Sequence, residues 1–159
     1  MACTSRRSCR AAHVGRVRTR LLVAGSRAWT DEAAIFWRLD GALAQLGEVT
    51  LVHGACPQGA DSIADRWGTA RGVPTERHPA DWGTHTAQCP EWHRGFARCR
   101  AAGFRRNARM VELGADLCLV FVIARSAGSM MTARLAARAG IETWLFDEAG
   151  EAERLSAAS

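Results

Sequence analysis

Short apolar runs alternate with amphipathic helical segments from Arg20 to Phe146, and this alternation restricts the fold more than any other feature. Arg20 to Ala24, Val49 to His53, Pro74 to His78, Asp116 to Ile123 and Ile141 to Phe146 read as strands. Helices are expected between them. One carries Ile35, Leu39, Ala42, Leu43 and Leu46 on one face, with Thr30 or Asp31 as N-cap and Gly47 as its end. A second carries Ile63, Ala64, Trp67 and Ala70 and stops at Gly72; others are expected near Arg105 to Leu113 and Met130 to Ala139. Strands alternating with helices imply βαβ units and a mostly parallel sheet covered on both faces. The expected architecture is a single α/β domain over residues 18–147, three layers thick, with five strands in the order 3-2-1-4-5. Ligands of such sheets sit at the carboxyl ends of the strands, where the strand order reverses. Here that point lies between the first and fourth strands.

Two segments break the rhythm. Residues 79–104 hold Pro79, Trp82, Cys89, Pro90, Trp92 and Cys99 with little periodicity, and read as a long excursion from the domain. The last residues, 148–159, read as a frayed end.

Composition removes several function classes. All 21 basic residues are Arg, and neither Lys nor Tyr occurs, so amine nucleophiles, Schiff bases and a P-loop lysine are excluded. The longest uncharged apolar run, Leu117 to Ala124, is far short of the roughly 20 residues of a membrane helix. No secretory signal is legible, so a cytoplasmic location without membrane contact is expected, with the six cysteines reduced. The net charge of +5 is mostly a property of the start of the chain. Residues 1–20 hold six Arg and no acid, whereas the remainder holds 15 Arg against 16 acids. Residues 1–17 are expected to be a disordered Arg-rich tail, with Val14 or Val17 as alternative starts of translation. Nucleic acid is an expected partner only through non-specific contact with that tail, although Arg94 to Arg109 holds six Arg that can form a stripe.

Four turns on the predicted strand ends carry the chemistry. The first is Gly25-Ser26-Arg27, in which Gly25 permits close backbone approach and Arg27 offers a planar fork for phosphate or carboxylate. The second runs from Gly54 to Gly59 with P-loop glycine spacing, followed by Ala60 and Asp61 where Lys and Ser or Thr belong. A Walker mechanism is therefore excluded. Asp61 is left to accept ribose hydroxyls or to favour a helix N-terminus electrostatically. The third element is Arg105-Arg106-Asn107, where Arg106 and Asn107 are candidates to hold an anion, against the alternative of a solvated basic face. The fourth is Ala127-Gly128-Ser129, which puts backbone N–H groups and a hydroxyl at a helix start. Gly25, Ser26, Arg27, Gly54, Gly59, Asp61, Arg106, Asn107, Gly128 and Ser129 are the candidate ligand-binding residues.

These turns, with His78-Pro79-Ala80-Asp81-Trp82 and Gly114-Ala115-Asp116, resemble the YspA-like, YpsA-related branch of the SLOG superfamily, which also includes the Smf/DprA and LOG proteins. The resemblance spans about residues 18–146. It implies a Rossmann-like domain that binds or senses a nucleotide or nucleotide-derived small molecule. LOG-type hydrolases carry a GGxGTxxE turn whose glutamate serves catalysis. Aligning Gly128-Ser129 with the GT pair puts Thr132 at the glutamate position. The resemblance thus favours a binder, with no catalytic residue assigned, over a LOG-type N-glycosidase or phosphoribohydrolase. A DprA-type nucleic-acid accessory protein is the third reading. Assembly with further copies of the chain stays open.

His85, Cys89, His93 and Cys99 fall within 15 residues of the excursion, and these ligand types suit zinc. Their spacing lacks the tight CxxC pair of most zinc modules. The sequence therefore favours a metal-free lid anchored by Trp82, Trp92, Phe96 and Phe104 over a structural zinc site. Cys56 sits near a helix start, but no oxyanion site or third catalytic member accompanies it, so a resting thiol is expected.

Overall fold

The computed structural model describes residues 18–157; the Arg-rich tail lies outside the described residues. The strands are β1 (Thr19–Gly25), β2 (Val49–His53), β3 (Thr75–Arg77), β4 (Leu117–Val122), β5 (Glu142–Asp147) and β6 (Ala152–Leu155). The helices are α1 (Glu32–Leu46), α2 (Ala60–Arg71), α3 (Glu91–Arg94), α4 (Ala102–Glu112) and α5 (Ala127–Arg138). They build one sheet in the order β3-β2-β1-β4-β5-β6. The first five strands are parallel in the expected order, and β6 runs antiparallel to β5.

Alternation along the strands sorts side chains onto the two faces. Leu21 and Val23 of β1, with Leu119 and Phe121 of β4, join α1 and α2 in one core. Leu22 and Ala24, with Cys118, Val120 and Val122, join α4 and α5 in the other. Because both faces are covered, the central strands read as continuous apolar runs. Cys118 is fully buried, and burial pushes its thiol up to about 12, so it behaves as a small hydrophobe.

The expectation of a five-stranded sheet with a frayed end is corrected by β6. Asp147 Oδ1 accepts the N–H groups of Ala149 and Glu151, and Gly150 takes a φ of 83°, which turns the chain back on β5. Leu155 then docks in the α4–α5 core as the one buried side chain of the strand. An edge strand held by backbone pairing and one apolar anchor has no hydrophobic periodicity to read. Two helix starts also move. The helix near Arg105 begins at Ala102, and the helix near Met130 begins at Ala127, because Gly103 and the small residues 127–129 resemble turn chemistry. For α1, Asp31 is the cap, accepting the Ala34 N–H at 2.9 Å.

A surface clasp joins α1 to α2. Asp40 Oδ1 accepts the indole N–H of the fully buried Trp67 at 2.8 Å, while Arg71 donates to both carboxylate oxygens at 2.8 Å. These bonds, led by Arg71, hold the Asp40 carboxyl down at about 2 against an ordinary 3.8. A depressed folded-state value gives stability that is present above the ordinary value and lost as pH falls through the folded one. Asp40→Ala is expected to lower the unfolding free energy by about 1–3 kcal/mol, because Trp67 loses its acceptor. In urea melts across pH, the variant should also lack the part of the acid destabilisation that falls between 3.8 and about 2. Equal stability of both proteins at neutral pH would show that the clasp contributes nothing.

Candidate functional site

The carboxyl ends of β1 and β4 open into a cavity of about 560 Å³. Eight of the ten candidate residues line it: Gly25, Ser26, Arg27, Asp61, Arg106, Asn107, Gly128 and Ser129. Gly54 and Gly59 stand behind the wall. At Gly59, φ is 75°, and a Cβ would lie 2.3 Å from the Ser26 carbonyl oxygen. At Gly54, a Cβ would overlap the Arg106 guanidinium. Both glycines let the second turn pack against its neighbours rather than face a ligand.

Ser26 organises the floor. Its N–H donates to the Phe121 carbonyl at 2.8 Å, and its own carbonyl accepts the N–H groups of Trp29 and Ala60, each at 3.2 Å. Its hydroxyl oxygen accepts the Ile123 N–H at 2.9 Å and lies 2.8 Å from Ser126 Oγ. Ser126 donates to Ser129 Oγ at 2.8 Å. The hydroxyl protons therefore run in one direction, from Ser26 to Ser126 to Ser129, and Ser129 is left with a proton to donate outward. Ser126 is a lining residue absent from the sequence-based set; its signal was a third hydroxyl beside Ser129.

The charged residues divide by burial. Arg106 Nη1 donates to the Gly54 carbonyl and, at 3.1 Å, to the His78 carbonyl, while its Nε donates to Asn107 Oδ1 at 2.7 Å. Burial pulls this guanidinium below its ordinary value. Arg106 thus ties α4 to the ends of β2 and β3 while also lining the cavity. Asn107 Nδ2 reaches the Gly128 carbonyl at 3.4 Å and braces α4 against the start of α5. Asp61 Oδ2 accepts the Cys56 N–H at 3.2 Å, which closes the second turn. Burial pushes its carboxyl above the ordinary range, although the Cys56 and Gly54 N–H groups, Arg106 and His53 pull the other way. Arg27 is exposed, and its guanidinium sits 5.3 Å from the centre of the Trp82 ring. No carboxylate among the described residues forms an ion pair with it.

Cys56 also lines the cavity, but His53 does not activate it. His53 Nδ1 accepts the Ala55 N–H at 3.0 Å, so its proton is on Nε2, which meets Asp65 Oδ1 at 2.9 Å. Thr132 is fully buried at the cavity wall, and its hydroxyl donates to the Gly128 carbonyl at 3.0 Å.

The excursion forms one wall. Trp82, Arg100, Gly103 and Phe104 line the cavity, whereas Trp92 and Phe96 do not and remain exposed on the outer surface. The segment has its own small core of Cys89, Cys99 and Ala102, packed by Ala80, Trp82 and Ala101. His85, Cys89, His93 and Cys99, which the irregular spacing separates along the chain, come together there as a set able to hold a metal ion.

The family model of the YspA, cpYpsA-related SLOG family matches residues 19–85, from β1 into the excursion. The Gene 61 protein of Mycobacterium phage D29 is 38% identical over 128 residues, covering 77% of this chain and 91% of the relative. The chain belongs to the YspA, cpYpsA-related SLOG family. Among the described residues of this SLOG domain, no helix is long and apolar enough to cross a membrane. Both glycine-bearing turns at β1 and β2 fall inside the family match, and α4 and α5 lie beyond it.

The glycines of the SLOG cavity are predicted to differ in tolerance. A Cβ at Gly25 would stand 2.5 Å from Ala60 Cβ and 2.6 Å from the Phe121 carbonyl oxygen, and the backbone there cannot give. Gly25→Ala should destabilise by about 1–3 kcal/mol or more. At Gly128 the nearest atom is 4.0 Å away, so Gly128→Ala should melt at or slightly above the temperature of the parent protein. Thermal unfolding of the two variants checks the order.

Proposed function

We propose that this domain binds a nucleotide or nucleotide-derived small molecule in the cavity between β1 and β4, as a binder or sensor rather than a hydrolase. The observation that carries this reading is Arg27. It is an exposed guanidinium in the cavity lining, with no carboxylate ion pair among the described residues, and the first turn of α5 with the Ser129 hydroxyl lines the same cavity. Those donors suit a phosphate. Trp82 and Phe104 supply apolar ring faces on which a base can stack. The family membership supports a nucleotide-related role.

The preference for binding over hydrolysis rests on carboxylates. The resemblance to the LOG turn puts Thr132 at the glutamate position, and its hydroxyl is bonded to a backbone carbonyl. The acid that lines the cavity is Asp61, and it is bonded to the second turn. One observation favours the N-glycosidase reading: a buried carboxyl raised above its ordinary range suits a general acid. Incubation with nucleoside monophosphates and chromatography for free base separates the two readings, since a binder releases none.

A thermal-shift screen of nucleoside phosphates, ADP-ribose and nucleotide sugars tests the proposal. A ligand at 100 times its Kd should stabilise the domain by about 2.7 kcal/mol. No shift from any of them, confirmed by calorimetry, would overturn it. For a ligand that binds, Arg27→Ala should cost about 1.5–3 kcal/mol of affinity, roughly 10- to 150-fold, without changing the melting temperature of the free protein. Unchanged affinity would move the phosphate role from Arg27 to Arg100 or Arg106.

A further inference from the structure

Four side chains that the nucleotide reading does not use meet inside the excursion. His85, Cys89, His93 and Cys99 each bring one ligand atom within 4.8 Å of the other three, and the last three are buried. Two thiolates and two imidazoles form a common tetrahedral donor set for zinc. The Sγ atoms of Cys89 and Cys99 are 3.6 Å apart. Two thiolates at about 2.3 Å from one tetrahedral zinc stand about 3.8 Å from each other. A disulfide would bring them to about 2.05 Å.

The protonation of His85 is a second, independent observation. Its Nε2 lies 2.9 Å from the Phe96 carbonyl oxygen, which can only accept, so the ring proton is on Nε2. Nδ1 then carries a lone pair, and this atom is buried with no hydrogen-bond partner. A buried acceptor without a donor is unfavourable unless something else takes the lone pair. An imidazole whose far N–H is fixed by a backbone carbonyl is how metal-bound histidines are commonly held. His93 also presents a lone pair: its Nε2 accepts the Arg100 N–H at 2.7 Å, a bond that a metal ion can displace. Around the sulfurs, Arg105 Nη1 lies 3.2 Å from Cys99 Sγ and 3.5 Å from Cys89 Sγ, and donates to both.

We propose that His85, Cys89, His93 and Cys99 bind one zinc ion that staples the excursion over the cavity. Binding releases two thiol protons to solvent, and the two thiolates balance the charge of the ion; nothing is oxidised or reduced. Four protein ligands leave no open position, so the site is structural. Its position gives it a task. Cys99 N–H donates to the Trp82 carbonyl at 2.8 Å, and the Trp82 ring packs 3.2 Å from where a Cβ of Gly103 would stand. The staple thereby fixes Trp82 and the first turn of α4, the helix that delivers Arg106 and Asn107.

The test uses the full chain, purified under reducing conditions without added metal or chelator. Elemental analysis should find about one zinc per chain. Protein from cells grown with cobalt in place of zinc should show tetrahedral cobalt(II) absorption with thiolate-to-cobalt charge transfer. The Cys89→Ser, Cys99→Ser variant should fall to background in both measurements. If that variant does not fold, the cobalt spectrum of the unaltered chain still decides, because charge transfer requires bound thiolates. Unaltered protein with neither zinc nor a thiolate–cobalt band overturns the proposal, as does a folded double variant that keeps its zinc. A Cys89–Cys99 disulfide found by mass spectrometry in metal-free protein overturns it as well.

Discussion

The end of β1 has no room for a Cβ, and the site depends on that lack of room. Gly25 lets the Ala60 methyl and the Phe121 carbonyl close on the strand from two sides. Ser26 can then bond to both neighbours at once: its N–H reaches β4, and its carbonyl reaches the start of α2. Gly59 completes the fit from the other turn, because only a residue without a side chain leaves the Ser26 carbonyl open to Ala60. Two turns from distant parts of the chain become one rigid floor, and the serine relay to Ser129 is anchored on it. Pre-organisation of this kind lowers the ordering cost of binding an anion.

Burial decides what each arginine can do. Arg106 is held among backbone carbonyls where β2 and β3 end, so its Nη1 donors act as a structural hub. Arg27 is exposed, and its guanidinium lies over the Trp82 ring. The two guanidinium groups raise the local positive potential together, and Arg27 adds to the effects that pull Arg106 below its ordinary value. An anion entering here would relieve repulsion between them as well as bond to donors.

The fold was largely legible because strands buried on both faces leave long apolar runs, and glycines mark where β1, α1 and α2 end. The candidate site was legible to the same degree, since ligand-binding turns of a parallel sheet lie at its carboxyl edge. What stayed hidden depends on contacts between distant residues. β6 lacks an apolar pattern because a single leucine anchors it. The commitment of Arg106 to Gly54 and His78 cannot be read from a basic helix start, because its partners are carbonyls 52 and 28 residues away. The sequence offers His85, Cys89, His93 and Cys99 as zinc ligands but does not favour them, for a related reason. No two of the four are in a tight CxxC pair, and the short helix α3 and the turn before Cys99 bring them together.

The excursion changes what kind of site this is. Without it, the cavity would be an open edge of a parallel sheet with no aromatic side chain in its lining. With it, an indole and a phenyl ring join the lining. Arg106 bonds α4 to the carbonyls at the ends of β2 and β3, and within the excursion the Cys99 N–H bonds back to the Trp82 carbonyl. Asn107 then carries the restraint on to the Gly128 carbonyl, which also accepts from Thr132. That doubly bonded carbonyl fixes the first turn of α5 at the cavity wall. Thr132 therefore strengthens the scaffold on which Gly128 and Ser129 line the cavity.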